Sequence, residues 1–125
     1  MIKNDYFNYL KEKGLDALIP MYERIEIEFK IFYPYIQIDY GRASLFITFG
    51  ASNYICDFRH QKKQISMYVE SKHSKIIDTI LTDNFKVTDR KGMNKGLKII
   101  RINRDCEDNI DKIVEVMVEI QKNIK

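Results

Sequence analysis

Asp57, Glu70 and Lys72 stand in an order, Asp-(x12)-Glu-x-Lys, that metal-assisted hydrolysis of a phosphodiester can use. Two carboxylates would hold a divalent cation and the lysine would orient or activate a water, so the three side chains must converge. The same letters also arise on any half-exposed strand with alternating charge, and Asp16, Glu28 and Lys30 repeat a similar spacing. Convergence therefore depends on the elements that carry these residues.

The alternation Tyr54-Ile-Cys-Asp-Phe-Arg59, followed by Ile65-Ser-Met-Tyr-Val-Glu70, predicts a β-hairpin leading into an amphipathic helix. Period two places Ser66, Tyr68, Glu70 and Lys72 on one face, opposite Ile65, Met67 and Val69. Two registers stay open. With the turn centred on Lys63-Gln64, Asp57 lies across from Glu70 and the two could share a magnesium ion, as a PD-(D/E)xK-type nuclease needs. With the turn centred on Gln61-Lys62, Asp57 faces Ser66, ~13 Å along the strand from the position opposite Glu70. Both registers set Phe58 against an apolar partner, so the hydrophobic pattern does not choose between them.

Elsewhere, Asn4 is read as the cap of a helix through Lys13, with Tyr6, Tyr9 and Leu10 on one face and Gly14 at its end. From Arg24 to Tyr33, Ile25, Ile27, Phe29 and Ile31 recur at period two with Glu26, Glu28 and Lys30 between them, which predicts a strand. The alternative is a helix opened by Pro20, with Met21, Ile25, Phe29 and Phe32 as its buried stripe. Beyond Pro34, strands are expected at Ile36–Tyr40 and Leu45–Phe49, with turns at Gly41 and at Gly50–Asn53. After the hairpin, Ser71 or Ser74 caps a helix carrying Ile76, Ile77, Ile80 and Leu81, and strands follow at Phe85–Thr88 and Leu97–Ile102. Asp108 to Lys122 closes the chain as a helix with Ile110, Ile113, Val114, Met117 and Ile120 on its apolar face. The expected architecture is one α+β domain over residues 1–125: an antiparallel β-meander of about five to six strands, two C-terminal helices packed on one face, and a short N-terminal helix.

A chain of 125 residues with 45% hydrophobic and 31% charged side chains has the composition of one folded domain, able to bury roughly 70% of its unfolded surface. Charges crowd the first thirteen residues and no run of ~18 apolar residues occurs, so neither a signal peptide nor a membrane span is expected, and the cytoplasm is the expected location. Cys56 and Cys106 are expected as reduced, core-facing thiols, and His60 and His73 as solvent-exposed side chains without metal-ligand spacing. The net charge of +3 conceals a local excess: residues 41–104 hold thirteen basic and five acidic side chains. Arg59, Lys62 and Lys63 crowd one hairpin tip, and Arg90, Lys91, Lys95 and Lys98 surround Gly92 and Gly96. These seven cations are the candidate contacts to phosphates or to an acidic partner surface. Phe29, Phe32, Tyr33, Tyr35 and Tyr40 would serve base stacking if they lay on a sheet face beside Lys or Arg.

Asn53-Tyr-Ile-Cys-Asp-Phe, then Gln64-Ile-Ser-Met-Tyr-Val-Glu70, an Ile-rich helix, a strand and a terminal helix resemble the small α+β domains appended to predicted restriction-type nucleases. More remotely, Met93-Asn94-Lys95 before a strand and a closing helix is similar to the MmcQ/YjbR-like double-wing domains proposed to bind DNA. That family shows a tryptophan just beyond the Asn-Lys; this chain has Leu97 there and no tryptophan. The resemblance implies a non-catalytic binding module around bacterial nucleases, in defence or counter-defence, whose partner is nucleic acid or a nucleic-acid-processing protein. The alternatives are a phage or mobile-element inhibitor, anti-CRISPR or anti-restriction, that sterically blocks a nuclease, and a small magnesium-dependent nuclease. Magnesium is an expected cofactor only in that last case.

Overall fold

The fold is described from a computed structural model, over residues 2–42, 46–50, 53–61, 64–81, 85–89, 96–102 and 110–124. In chain order the elements are α1 (Lys3–Glu12), α2 (Ile19–Phe32), β1 (Ile38–Arg42), β2 (Phe46–Phe49), β3 (Cys56–Gln61), β4 (Gln64–Glu70), α3 (Ser74–Ile80), β5 (Lys86–Asp89), β6 (Leu97–Ile102) and α4 (Ile110–Asn123). The α+β class, the single antiparallel sheet and both terminal helices are as the sequence predicts. β1 to β4 form a meander, after which the order becomes β4-β6-β5. Because β6 is antiparallel to both neighbours, β4 and β5 run parallel, with α3 as their crossover and β6 inserted between them.

Strand alternation makes one side of this sheet apolar across its full width. Tyr40, Ile47, Phe58, Met67, Ile100 and Val87 pair in turn from β1 through β2, β3, β4 and β6 to β5. All four helices pack on that side. Tyr6 of α1 meets Tyr40, while Tyr22 and Phe29 of α2 meet Phe58 and Phe49 edge-on. α4 lies against both α2 and α3, and its Ile113, Val116, Met117 and Ile120 join the same buried cluster. Burying a side chain of this size contributes about 1.5–3 kcal/mol, which is why the amphipathic helices form against the sheet.

The segment 24–33 is the main correction to the sequence reading. It belongs to α2, a helix with Pro20 in its first turn, and the alternative stripe of Met21, Ile25 and Phe29 is the one buried, joined by Tyr22 and Glu26. Ile25 and Phe29 satisfy both periods, being two strand steps and one helical turn apart. The helix leaves Ile27 and Ile31 in solvent and buries Glu26, the reverse of the strand reading, while Phe32, expected on the helical stripe, is exposed. The Asp16-Glu28-Lys30 pattern loses its strand basis with this change.

Smaller corrections follow from backbone hydrogen bonding. α1 begins before Asn4, since the Tyr6 amide already donates to the Ile2 carbonyl, so Asn4 lies inside the helix. Gly41 is not a turn between strands. With φ of 75° it sits in β1 at a break in register between Tyr40 and Arg42, a bulge that a left-handed glycine accommodates. Lys72 is not on the strand face either, because β4 ends at Glu70 and a short 3-10 turn, Ser71–His73, takes over. His73 is buried and His60 half-buried. Cys56 is a buried free thiol, and Cys106 lies outside the described residues, as do Asp105, Glu107 and Asp108 before α4.

Among the described residues Glu26 is the one buried carboxylate in the helical layer, and it ties three elements together. Lys3 of α1 donates to Oε2 at 2.5 Å, the Tyr40 hydroxyl of β1 donates to Oε1, and Lys30 lies 3.8 Å away. Burial works to raise its pKa, but the hydrogen bonds from Lys3 and Tyr40 and the charge of Lys30 outweigh it and leave the value lowered. A carboxyl whose folded pKa lies below its unfolded one stabilises the fold above the unfolded value, about 4.3, and loses that contribution as pH falls through the folded value. Glu26→Gln should therefore cost about 1–3 kcal/mol in urea unfolding at pH 7, with the gap from wild type closing as pH falls below about 4.

Candidate functional site

The side of the sheet opposite the helices carries a second pattern, legible only once the register is known. Phe46 pairs with Arg59, Arg59 with Ser66, Ser66 with Arg101 and Arg101 with Lys86, one residue from each of β2, β3, β4, β6 and β5. Residues paired across a ladder point to the same face, so these five side chains form one transverse row. Arg42 continues the row in backbone register, opposite Phe46. Six strands at ~4.8 Å spacing give it a length of about 24 Å.

The row has internal order. The Arg59 guanidinium lies over the Phe46 ring, 5.6 Å from its centroid, and Phe46 meets Tyr68 edge-on at 5.5 Å. Arg101 donates through Nη1 to the Ser66 hydroxyl at 3.0 Å. Lys86 stands exposed at the margin of the sheet. Tyr68 and Ile99 are buried on this face, yet both stand apart from the cluster beneath the helices, and no helix among the described residues covers them.

One step along the strands lies a different row: Asp39, Thr48, Asp57, Tyr68, Ile99 and Thr88. Its centre is Asp57, both of whose oxygens accept hydrogen bonds. The Thr48 hydroxyl donates to Oδ1 at 2.5 Å and the Tyr54 hydroxyl to Oδ2 at 2.9 Å. Burial, reinforced by the adjacent Asp57 carboxylate, pushes the Tyr54 pKa far up, so its phenol stays protonated and remains a donor. The open face is thus cationic at the β3–β4 turn end and acidic toward the other.

Asp57 pairs with Tyr68, a register midway between the two the sequence left open. Glu70 is then its diagonal neighbour, about 7–8 Å away, rather than directly opposite or ~13 Å along the strand. Glu70 makes its own ion pair with Lys72 at 3.8 Å. With Asp57 held by two hydroxyls and Glu70 turned to Lys72, these residues do not fit a magnesium ion. Among the described residues no three His, Cys, Asp or Glu side chains gather where they could hold a metal.

Of the candidate phosphate contacts, Arg59 lies in the cationic row. Lys98 does not: it pairs with Val69 and Asp89 on the helix side and donates to Asp89 at 2.9 Å, which raises its pKa. Lys62, Lys63, Arg90, Lys91 and Lys95 fall outside the described residues. The strand ends show that the two basic segments leave the sheet at opposite ends, one joining Gln61 to Gln64 and the other joining Asp89 to Gly96. Phe46, Lys86 and Arg101 escaped the sequence reading, because they lie on three separate strands and only the ladder aligns them with Ser66, which that reading had placed on one face of β4 with Tyr68. His60, expected in solvent, projects to the helix side, where its ring meets Tyr6 and Tyr9 and its Nδ1 lies 3.3 Å from the Tyr6 hydroxyl. Burial pushes Tyr6 up to about 12 and lowers the pKa of His60, which favours the neutral form of both rings.

Among the described residues no helix is long and apolar enough to cross a membrane. No protein-family model, curated protein or solved structure matches this chain.

Thr48 is fully buried, so Thr48→Val should strip Asp57 of one donor with little change in shape. The expected loss is about 1–3 kcal/mol in urea unfolding; a change below a few tenths would show that the hydroxyl does not hold Asp57.

Proposed function

We propose that the protein is a non-catalytic nucleic-acid-binding module that takes a single strand across its helix-free sheet face. The observation that carries this reading is the row Phe46-Arg59-Ser66-Arg101-Lys86, which puts three cations and an aromatic ring at one level of five adjacent strands. Cations neutralise phosphates, and the exposed faces of aromatic and guanidinium planes stack on bases whatever their sequence. Sheet faces of this kind hold about two or three bases on their rings. Asp39, Asp57 and Glu70 repel phosphates from the far end and so confine the backbone to the cationic row. In the sequence Lys62 and Lys63 follow Gln61, the last residue of β3, whose Arg59 belongs to the row. The setting around nucleases, in defence or counter-defence, is the one the sequence resemblance implies.

The test is fluorescence anisotropy of labelled single-stranded DNA and RNA over a range of salt. Three phosphate contacts correspond to a log–log salt slope of about −2. Phe46→Ala should weaken binding by about 1–3 kcal/mol, and Arg59→Glu with Arg101→Glu should abolish most of it and flatten the slope. Reversal of Lys62 and Lys63 should weaken binding more than reversal of Lys91 and Lys95, which leave from the other end. Binding that survives the arginine reversals unchanged, or that shows no salt dependence, would rule this reading out.

A further inference from the structure

α2 faces solvent with a stripe that none of the described residues covers. Ile27 and Ile31, one turn apart, are 62% and 72% exposed, and beyond them Phe32 and Tyr35 are 60% and 98% exposed. Among the described residues these four account for all but one of the large apolar side chains left in water. Single exposed apolar residues are ordinary, but Ile27 and Ile31 stacked on one helix face, with Phe32 and Tyr35 following, mark a contact surface.

The charges flanking this stripe identify what it meets. At 100° per residue, Glu23 and Lys30 lie along one side of Ile27, and Arg24 and Glu28 along the other. Each flank carries one acid and one base, and the two flanks have nearly the same midpoint, between residues 26 and 27 for Glu23 and Lys30 and at residue 26 for Arg24 and Glu28. Two antiparallel copies of a helix meet like flank to like flank about a two-fold axis. Centred there, Glu23 of one copy faces Lys30 of the other, Arg24 faces Glu28, and Ile27 lies near the axis with Ile31 beside it. An unrelated partner places no such mirror requirement on the sequence, and the mixed signs do not suit a phosphate backbone. We infer that α2 is the self-association face of this protein, pairing antiparallel with a second copy through Ile27 and Ile31.

The pairing redirects two cations that already have partners within their own helix. Arg24 already reaches Glu28 at 2.6 Å within its own helix, and Lys30 lies 3.8 Å from Glu26, so both cations are held along the helix surface. Since every helix packs on one side of the sheet, joining two copies through α2 turns both open faces outward, in opposite directions. The dimer is then bivalent, whatever those faces bind. One helix face per copy is small beside the roughly 800 Å² that a stable complex buries on each partner, so a dissociation constant in about the micromolar range is expected.

Sedimentation velocity of the intact protein over a wide dilution series tests this directly. The wild type should shift from monomer to dimer with concentration, and Ile31→Glu should remain monomeric throughout. Glu23→Lys and Lys30→Glu should each weaken association about fivefold to tenfold, and the double variant should recover most of the loss. Glu23 and Lys30 are about 10 Å apart along one helix, so recovery reports contact between copies. Thermal unfolding of each variant separates loss of pairing from loss of fold. A wild type that stays monomeric, a dimer indifferent to Ile31→Glu, or single reversals that the double variant fails to rescue would each overturn the inference.

Discussion

The pairing of Phe58 with Met67, reached because only Lys62 and Lys63 separate Gln61 from Gln64, decides which side of the sheet is apolar. A shift of one residue on either strand would send Phe58 or Met67 to the open side and bring arginine or serine under the helices. The neighbouring ladders repeat the decision, Ile47 beside Phe58 and Ile100 beside Met67, so an error at the hairpin would have to be repaired across the whole width. Helix packing on one side and the cationic row on the other are therefore two outcomes of a single alignment.

Tyrosine hydroxyls recur at three part-buried polar sites of this fold. Tyr40 donates to Glu26 in the helical layer, Tyr54 to Asp57 on the open side, and Tyr6 meets His60 between them. In each case burial raises the phenol's pKa, which keeps the proton on oxygen and the donor in place. A buried carboxylate needs donors to offset its lost hydration, and a neutral hydroxyl supplies one without bringing a second charge inside. This accounts for tyrosines that a reading for exposed stacking rings would assign to the surface.

The antiparallel hairpin, the closing helix and the α+β class were legible because each rests on a period sustained over several residues. The segment at Ile25 to Ile31 was not, because alternate isoleucines suit a strand while every second one of them suits a helix. What broke the tie was outside the local pattern: α4 and the sheet offered a groove for Met21, Ile25 and Phe29, and Pro20 favoured a helical start. The residual apolar side chains, Ile27 and Ile31, looked like core because they complete the period-two pattern of a half-buried strand.

The cationic row was hidden for a different reason. Arg59 stands beside lysines in the sequence and drew attention, whereas Arg101 sits in an isoleucine run and Lys86 opens a short strand. Their alignment depends on β6 entering between β4 and β5, a topological fact with no local signature. The Asp57-Glu70-Lys72 pattern was conspicuous by comparison, yet the ladder put Tyr68 opposite Asp57 and the end of β4 carried Lys72 off the strand.

The two margins of the sheet have their own consequence. β1 is broken at Gly41, and β5 is four residues long with exposed Lys86 and Asp89 at its ends. A kinked strand and a short charged one offer little straight backbone for another chain to extend, which disfavours lateral growth into fibres. Growth of the sheet beyond its six strands is thereby held in check at both margins.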